Sequence, residues 1–179
     1  NLGRMIDWAA EEEKWDYVGV GHAIRAWSWL TLTNMYGEAI LRQAFDPDRL
    51  VFEYDTQEDI YAEVRRQAHL AIENLNKTGG NVSQANLALG DAYFYNGDVN
   101  KWKKFVYSVL ARSFHLTNKG ANYRADSVLY YCNLAINSNA DNAAARFANT
   151  GITGTSNFFG PVRGNVGTLR QTRFIADLM

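Results

Sequence analysis

The chain has 179 residues, 47% of them hydrophobic and 21% charged, with a formal net charge of -1. That is enough for one domain with a sizeable core, and the charge balance excludes a general electrostatic pull toward nucleic acid. A lone cysteine, Cys132, excludes a disulfide-stapled scaffold.

Proline occurs only at Pro47 and Pro161. Glycines cluster at Gly79-Gly80, Gly97, Gly120 and then from Gly151 to Gly167. Between these breaks the apolar residues recur at helical spacing. The spacing predicts a first helix over Leu2 to Trp15, with Met5, Trp8, Ala9 and Trp15 on one side. Its run Glu11-Glu12-Glu13 reads as a solvated face. A second helix is expected from Tyr17 to Tyr36, apolar nearly all round and therefore central and buried. Its length approaches a membrane span, but Gly19, His22, Arg25, Ser28, Thr31 and Asn34 make it too polar for one.

Residues 37–52 read as a connector. Asp55 is the expected N-cap of a third helix, Thr56 to Leu75, with Glu58 reaching back as in a capping box. Ile60, Val64, Ala68, Ala71, Ile72 and Leu75 form its stripe, and Asn76 to Gly80 stops it. Ser83 to Tyr93 fits either a short helix or an irregular segment. Asn96-Gly97 suits a turn needing positive φ, and Asp98 or Asn100 can cap the helix that follows. Trp102, Phe105, Val106, Val109 and Leu116 form the buried stripe of that helix, with Lys101, Lys103 and Lys104 pointing elsewhere. A further helix from Arg124 to Asn137 carries Ala125, Val128, Leu129, Cys132, Ala135 and Ile136 at core spacing. One or two more turns are expected between Asn139 and Ala148. Residues 149–170 are Gly-rich, polar and aromatic and read as a long loop, and residues 171–179 as the opening of another helix.

The expected fold class is all-α, with antiparallel helix pairs joined by short links and stacked as a solenoid-like array. The expected organisation is a single domain over 1–179, with a helical scaffold over 1–148. The chain starts at Asn1 and ends inside an expected helix. It is therefore read as a segment of a longer protein, with any targeting or lipid-attachment signal upstream.

Three blocks carry a family resemblance. Tyr95-Asn96-Gly97-Asp98 followed by Lys101-Trp102-Lys103-Lys104-Phe105, Ser108 and Arg112 resembles a turn-helix motif of the SusD/RagB family. Val109-Leu110-Ala111 departs from that family's Leu-rich triplet but keeps the apolar face. Arg25-Ala26-Trp27 and Leu32-Thr33 through Tyr36-Gly37 resemble a second motif, with Ile40 near a usual proline. Tyr54-Asp55 through Ile60-Tyr61 resembles a third, and all three occur in family order. The resemblance covers nearly the whole chain. It implies an all-α fold with tetratricopeptide-like helix pairs. It also implies a surface lipoprotein of the Bacteroidetes outer membrane, anchored by a lipid outside this chain. The implied partner is a SusC-type TonB-dependent transporter, to which captured oligosaccharide, or peptide in one branch, is passed.

The residues offer little for catalysis. His22, His69 and His115 lie far apart on separate helices, and His22 reads as a hydrogen-bonded core residue. Hydrolase, nucleotide-loop and metal spacings are absent, so no catalytic residue, cofactor or metal is expected. Adjacent carboxylates such as Glu58-Asp59 cannot face each other across a sugar at the ~5–9 Å a glycosidase needs. The lysines around Trp102 read as exposed and partner-facing, not as a nucleic-acid patch. Trp8, Trp27, Trp29 and Trp102 sit at helical spacing and are expected in the core. A ligand is better placed on the loop, where Asn157, Phe158, Phe159, Arg163 and Asn165 combine rings, amides and a guanidinium. The same two phenylalanines would equally pin the loop to the core. Two further readings stay open: a helical scaffold that binds only protein, and a helical glycoside hydrolase.

Overall fold

The computed structural model describes residues 1–121, 123–144 and 177–178. The described residues hold six α-helices, one 3-10 turn and no strand beyond an isolated β-bridge between Ala39 and Asp55. The helices are α1 (Leu2–Glu11), α2 (Trp15–Tyr36), α3 (Gln57–Leu75), α4 (Gln84–Gly90), α5 (Val99–His115) and α6 (Ala125–Leu134), followed by the turn Asn139–Asp141. The chain divides into two compact units, Asn1–Ala143 and Ala144–Met179. Of the second unit, Ala144, Asp177 and Leu178 are described, the last two as helix.

Antiparallel packing is visible in the contacts. Gly21 of α2 lies against Met5 and Ile6 of α1, and Gly3 lies against Arg25. Gly19 of α2 meets Leu75 at the end of α3, His22 meets Gln67, and Asn34 meets Tyr61 near the start of α3. Phe114 of α5 stacks on Tyr131 of α6, while Ser108 accepts from the amide of Ile136. The expected tetratricopeptide-like helix pairs are therefore present.

The absence of side chains at Gly19 and Gly21 is what lets two helices close on α2. A Cβ on Gly19 would sit 2.6 Å from Leu75, and one on Gly21 2.5 Å from Ile6. At the start of α2, Asp16, Val18, Gly19, Val20 and Gly21 are all buried. Farther along, burial narrows to Ala23, Ala26, Leu30 and Thr33, a single stripe. The expectation of all-round burial thus holds only for the first half of α2. Gly3 opposes Arg25, so α1 ends its cover just before Trp27, which is 49% exposed. Trp8 is 59% exposed because α1 turns Ile6 and Ala9 inward instead, and the Arg4 guanidinium sits 5.6 Å over the Trp8 ring. Both tryptophans depart from the expected core placement. Trp29 is partly buried and Trp102 fully so. Trp15 opens α2 and does not close α1, because Glu12 to Lys14 break the helix and Glu13 adopts φ 54°.

The start of α3 is also one residue from expectation. Thr56, not Asp55, is the N-cap, with its hydroxyl accepting from the Asp59 amide and donating to the Asp59 carboxylate. Asp55 instead straps the connector, accepting from the amides of Leu41 and Arg42 and pairing with the Arg42 guanidinium. These amide hydrogen bonds are the main reason its carboxyl titrates below the usual range. Ser83 caps the short α4, and Asp16 accepts from the Ser83 amide, tying α4 to the start of α2.

In the turn before α5, Asn96 has φ 51° and Gly97 φ 79°. A Cβ on Gly97 would lie 2.8 Å from the backbone of Gln84 and of Ala88, so only glycine fits there without strain. Asp98 accepts from the amides of Asn100 and Lys101 and caps α5. Asp91, buried at the end of α4, accepts from the amides of Tyr95 and Gly97 and from the Trp102 indole at 2.7 Å. Tyr95 donates to the Asp141 carbonyl, and burial with nearby carboxylates pushes its pKa up to about 12.

Two expectations for α5 and α6 need correction. Leu116 is 42% exposed, while Leu110, Ala111 and Ser113 are buried in its place. α6 has no buried residue, and Leu129 and Cys132 are exposed. α6 packs mainly on α5 and presents Tyr131, whose bulky ring reaches Phe114 and Tyr107 of α5 and His69 of α3, so the helix is rotated away from the expected stripe.

Candidate functional site

The loop residues Asn157, Phe158, Phe159, Arg163 and Asn165 lie outside the described residues, as does the whole segment 149–170. Within the first unit a groove of about 870 Å³ runs between α3 and the turn that joins α5 to α6. Its α3 wall carries Gln57, Glu58, Tyr61 and Arg65. The i, i+4 spacing of Tyr61 and Arg65 places both on one side of that helix. The opposite wall carries Phe114, Lys119, Tyr123 and Arg124.

The Phe114 ring contacts both α3 and α6. The Arg65 guanidinium lies 4.8 Å over it, and Tyr131 stacks on it at 5.8 Å with an 11° tilt. The contact is a cation–π one, and a guanidinium carries its N–H donors at the edges of its own plane. Burial lowers the Arg65 pKa, opposed by Tyr61 and Glu58, yet an arginine stays charged at any physiological pH. Tyr61 donates to the Asn34 side chain, which fixes the ring. Arg124 is occupied by a two-point pair with Asp126.

A second groove of about 700 Å³ lies along α1, where Arg4, Met5 and the exposed Trp8 face Tyr17, Asn86 and the exposed Leu89. Ring faces with polar neighbours suit the C–H faces and hydroxyls of sugars, and both grooves have that mixture.

The basic patch around Trp102 is not an open surface. Lys104 donates to the Asp141 carboxylate at 2.7 Å, Ser138 also donates to it, and together they hold that carboxyl below its usual range. Lys104 is therefore spent on packing α5 against the Asn139–Asp141 turn, contrary to the exposed, partner-facing role expected for it.

Among the described residues no cluster of three or more potential metal ligands occurs. His22 is a structural residue: its Nδ1 donates to Gln67 Oε1 at 2.6 Å, and the Gln67 amide donates to Glu63. Burial is the main cause that lowers its pKa below 6.5; the Gln67 contact opposes this and Arg25 adds to it. The unfolded chain therefore binds the His22 proton more readily than the folded one. The resulting stability is complete above the ordinary pKa of 6.5 and is lost as pH falls through it toward the lowered value. Denaturant midpoints measured from about pH 8 to about pH 5 are expected to drop more steeply for the wild type than for His22→Gln. Equal slopes would refute this role.

Arg65, Phe114 and Tyr123 were not singled out from the sequence. The i, i+4 relation of Tyr61 and Arg65 was readable, but the crossing that brings α5 over it was not.

Comparisons with known proteins bear on this arrangement. The family model for SusD-like proteins, described as "Starch-binding associating with outer membrane", matches residues 1–176. A SusD/RagB family protein from Bacteroides thetaiotaomicron is 26% identical with TM-score 0.67, over 79% of this chain and 30% of that one. A SusD homolog from Bacteroides uniformis is 23% identical with TM-score 0.66, over 83% of this chain and 30% of that one. A SusD homolog from Bacteroides fragilis is 19% identical with TM-score 0.56, over 75% and 29% respectively. The last two bear on the fold alone. The chain thus spans about 30% of the length of the first two of these structures. No curated protein matches the sequence.

Proposed function

The chain belongs to the SusD-like family, and we propose that it is part of a cell-surface nutrient-binding protein that captures oligosaccharide and delivers it to a TonB-dependent outer-membrane transporter. The family description associates its members with starch binding and the outer membrane. The observation that carries the reading is the match of that model to residues 1–176, on a scaffold of tetratricopeptide-like helix pairs. Grooves lined by rings and polar side chains add support. The same reading gives the full-length protein a lipid anchor. No helix among the described residues is long and apolar enough to cross a membrane.

We further propose that the protein binds without catalysis. Among the described residues each groove is lined by a single carboxylate, Glu58 in one and Glu12 in the other, and not by an acid and its partner across a cleft. The loop 149–170 remains a proposed part of the ligand site through Asn157, Phe158, Phe159, Arg163 and Asn165.

The test is a calorimetric panel of oligosaccharides and peptides on the full-length protein, with a reducing-sugar assay alongside. Saturable oligosaccharide binding without release of reducing ends is expected, as is co-purification with the transporter from outer membranes. Binding to peptides alone would move the protein to a peptide-uptake role. Partner binding with no small ligand would favour a protein-only helical scaffold.

A further inference from the structure

We propose that the groove between α3 and the α5–α6 turn binds an acidic sugar, with Arg65 and Lys119 receiving the carboxylate of a uronic-acid residue. The inference rests on the nutrient-binding reading and names a ligand class for one groove of this chain.

Arg65 is the central observation. Its guanidinium carbon lies 4.8 Å over the Phe114 ring, and Tyr131 stacks on Phe114 in turn. A planar fork beside the groove matches the two oxygens of a carboxylate. No carboxylate of the described residues forms an ion pair with Arg65 or with Lys119. The third cation of the groove, Arg124, differs in being satisfied by Asp126. Lining cations outnumber the single lining carboxylate, Glu58. The groove therefore favours an anion, and partial burial of Arg65 strengthens that preference over what an exposed surface would give.

The rest of the lining fits a sugar ring. Tyr123 and Leu116 offer apolar surface beside the cations. Gln57 and Thr117 donate to the carbonyls of Thr33 and Phe114, which leaves their oxygens as acceptors for sugar hydroxyls. A volume of about 870 Å³ accommodates a short oligosaccharide. A free inorganic anion would use the cations and leave the apolar wall empty.

Titration calorimetry on the full-length protein tests this with trigalacturonic acid, its methyl ester and a neutral galactose trimer. The acid is expected to bind, with the ester and the neutral trimer weaker by about tenfold or more, since a charge-assisted pair is lost. Arg65→Gln and Lys119→Gln are each expected to weaken the acid by a similar factor and to flatten its salt dependence. Arg65 packs on Phe114, so circular dichroism accompanies its variant, whereas Lys119 is exposed and its variant reads binding alone. If acid and ester bind alike, or both variants bind the acid as the wild type does, the acidic-sugar assignment falls and the nutrient-binding reading stands. If no oligosaccharide binds and peptides do, both fall.

Discussion

Trp102→Ala lowers the unfolding free energy by ~3–5 kcal/mol, the range for removing a large buried aromatic. Trp102 is 3% exposed. Its ring meets Tyr95 and Phe105 edge-on at 5.4 and 5.5 Å and Phe94 at 6.0 Å. The variant would leave a cavity among three rings and remove one of the three donors to the Asp91 carboxylate. In thermal unfolding this corresponds to a drop of roughly 6–20 °C for a chain of this size. Trp102→Phe separates the two contributions. It keeps most of the apolar contact and loses the hydrogen bond, so its midpoint should lie between those of the wild type and the alanine variant. An alanine variant that melts like the wild type would show that the ring is not a core anchor.

Asp91→Ala is expected to cost about 3 kcal/mol, because three donors in a water-poor site lose one acceptor together. Those donors are the amides of Tyr95 and Gly97 and the Trp102 indole. Asp91→Asn should cost less. Its amide oxygen can still serve Gly97 and Trp102, while its NH2 group would face the Tyr95 amide, donor against donor. Because Asp91 and Trp102 share a bond, the double variant should cost less than the two single costs added. Denaturant titration of the four proteins measures this directly. Strict additivity would mean that the indole hydrogen bond contributes nothing.

These two residues also explain why the Tyr95-Asn96-Gly97-Asp98 stretch was the readable heart of the sequence. Positive φ at Asn96 and Gly97 and the Asp98 cap are local demands, met by residue type alone. Trp102 fits the same logic, since it shares a stripe with Val106 and Val109. The acceptor for its indole was not readable, because Asp91 lies eleven positions back across a turn. Family membership was legible for the same reason, as its motifs are turns, caps and helix stripes.

The errors share one cause. Helical spacing says which residues share a face, not which face meets a neighbour. Trp8 and Trp27 sit on stripes that no described helix covers, whereas Tyr131 was overlooked and became the anchor of α6. Cys132 followed Leu129 to the surface when α6 rotated to seat that ring. Asp55 and Thr56 compete for one cap, and the bridge to Ala39 decides between them.

By itself the sequence determined the long helices and their order, the Asn96-Gly97 turn and the family, because each depends on local geometry or on short motifs; the Glu12–Lys14 break and the short α4 it left undecided or missed. Only the tertiary structure decided which aromatic rings are buried, which cations are spent on ion pairs and where a groove opens. Those depend on how helices distant in sequence cross. Arg65 meets Phe114 because α3 and α5 pack together, and that contact has no local signature.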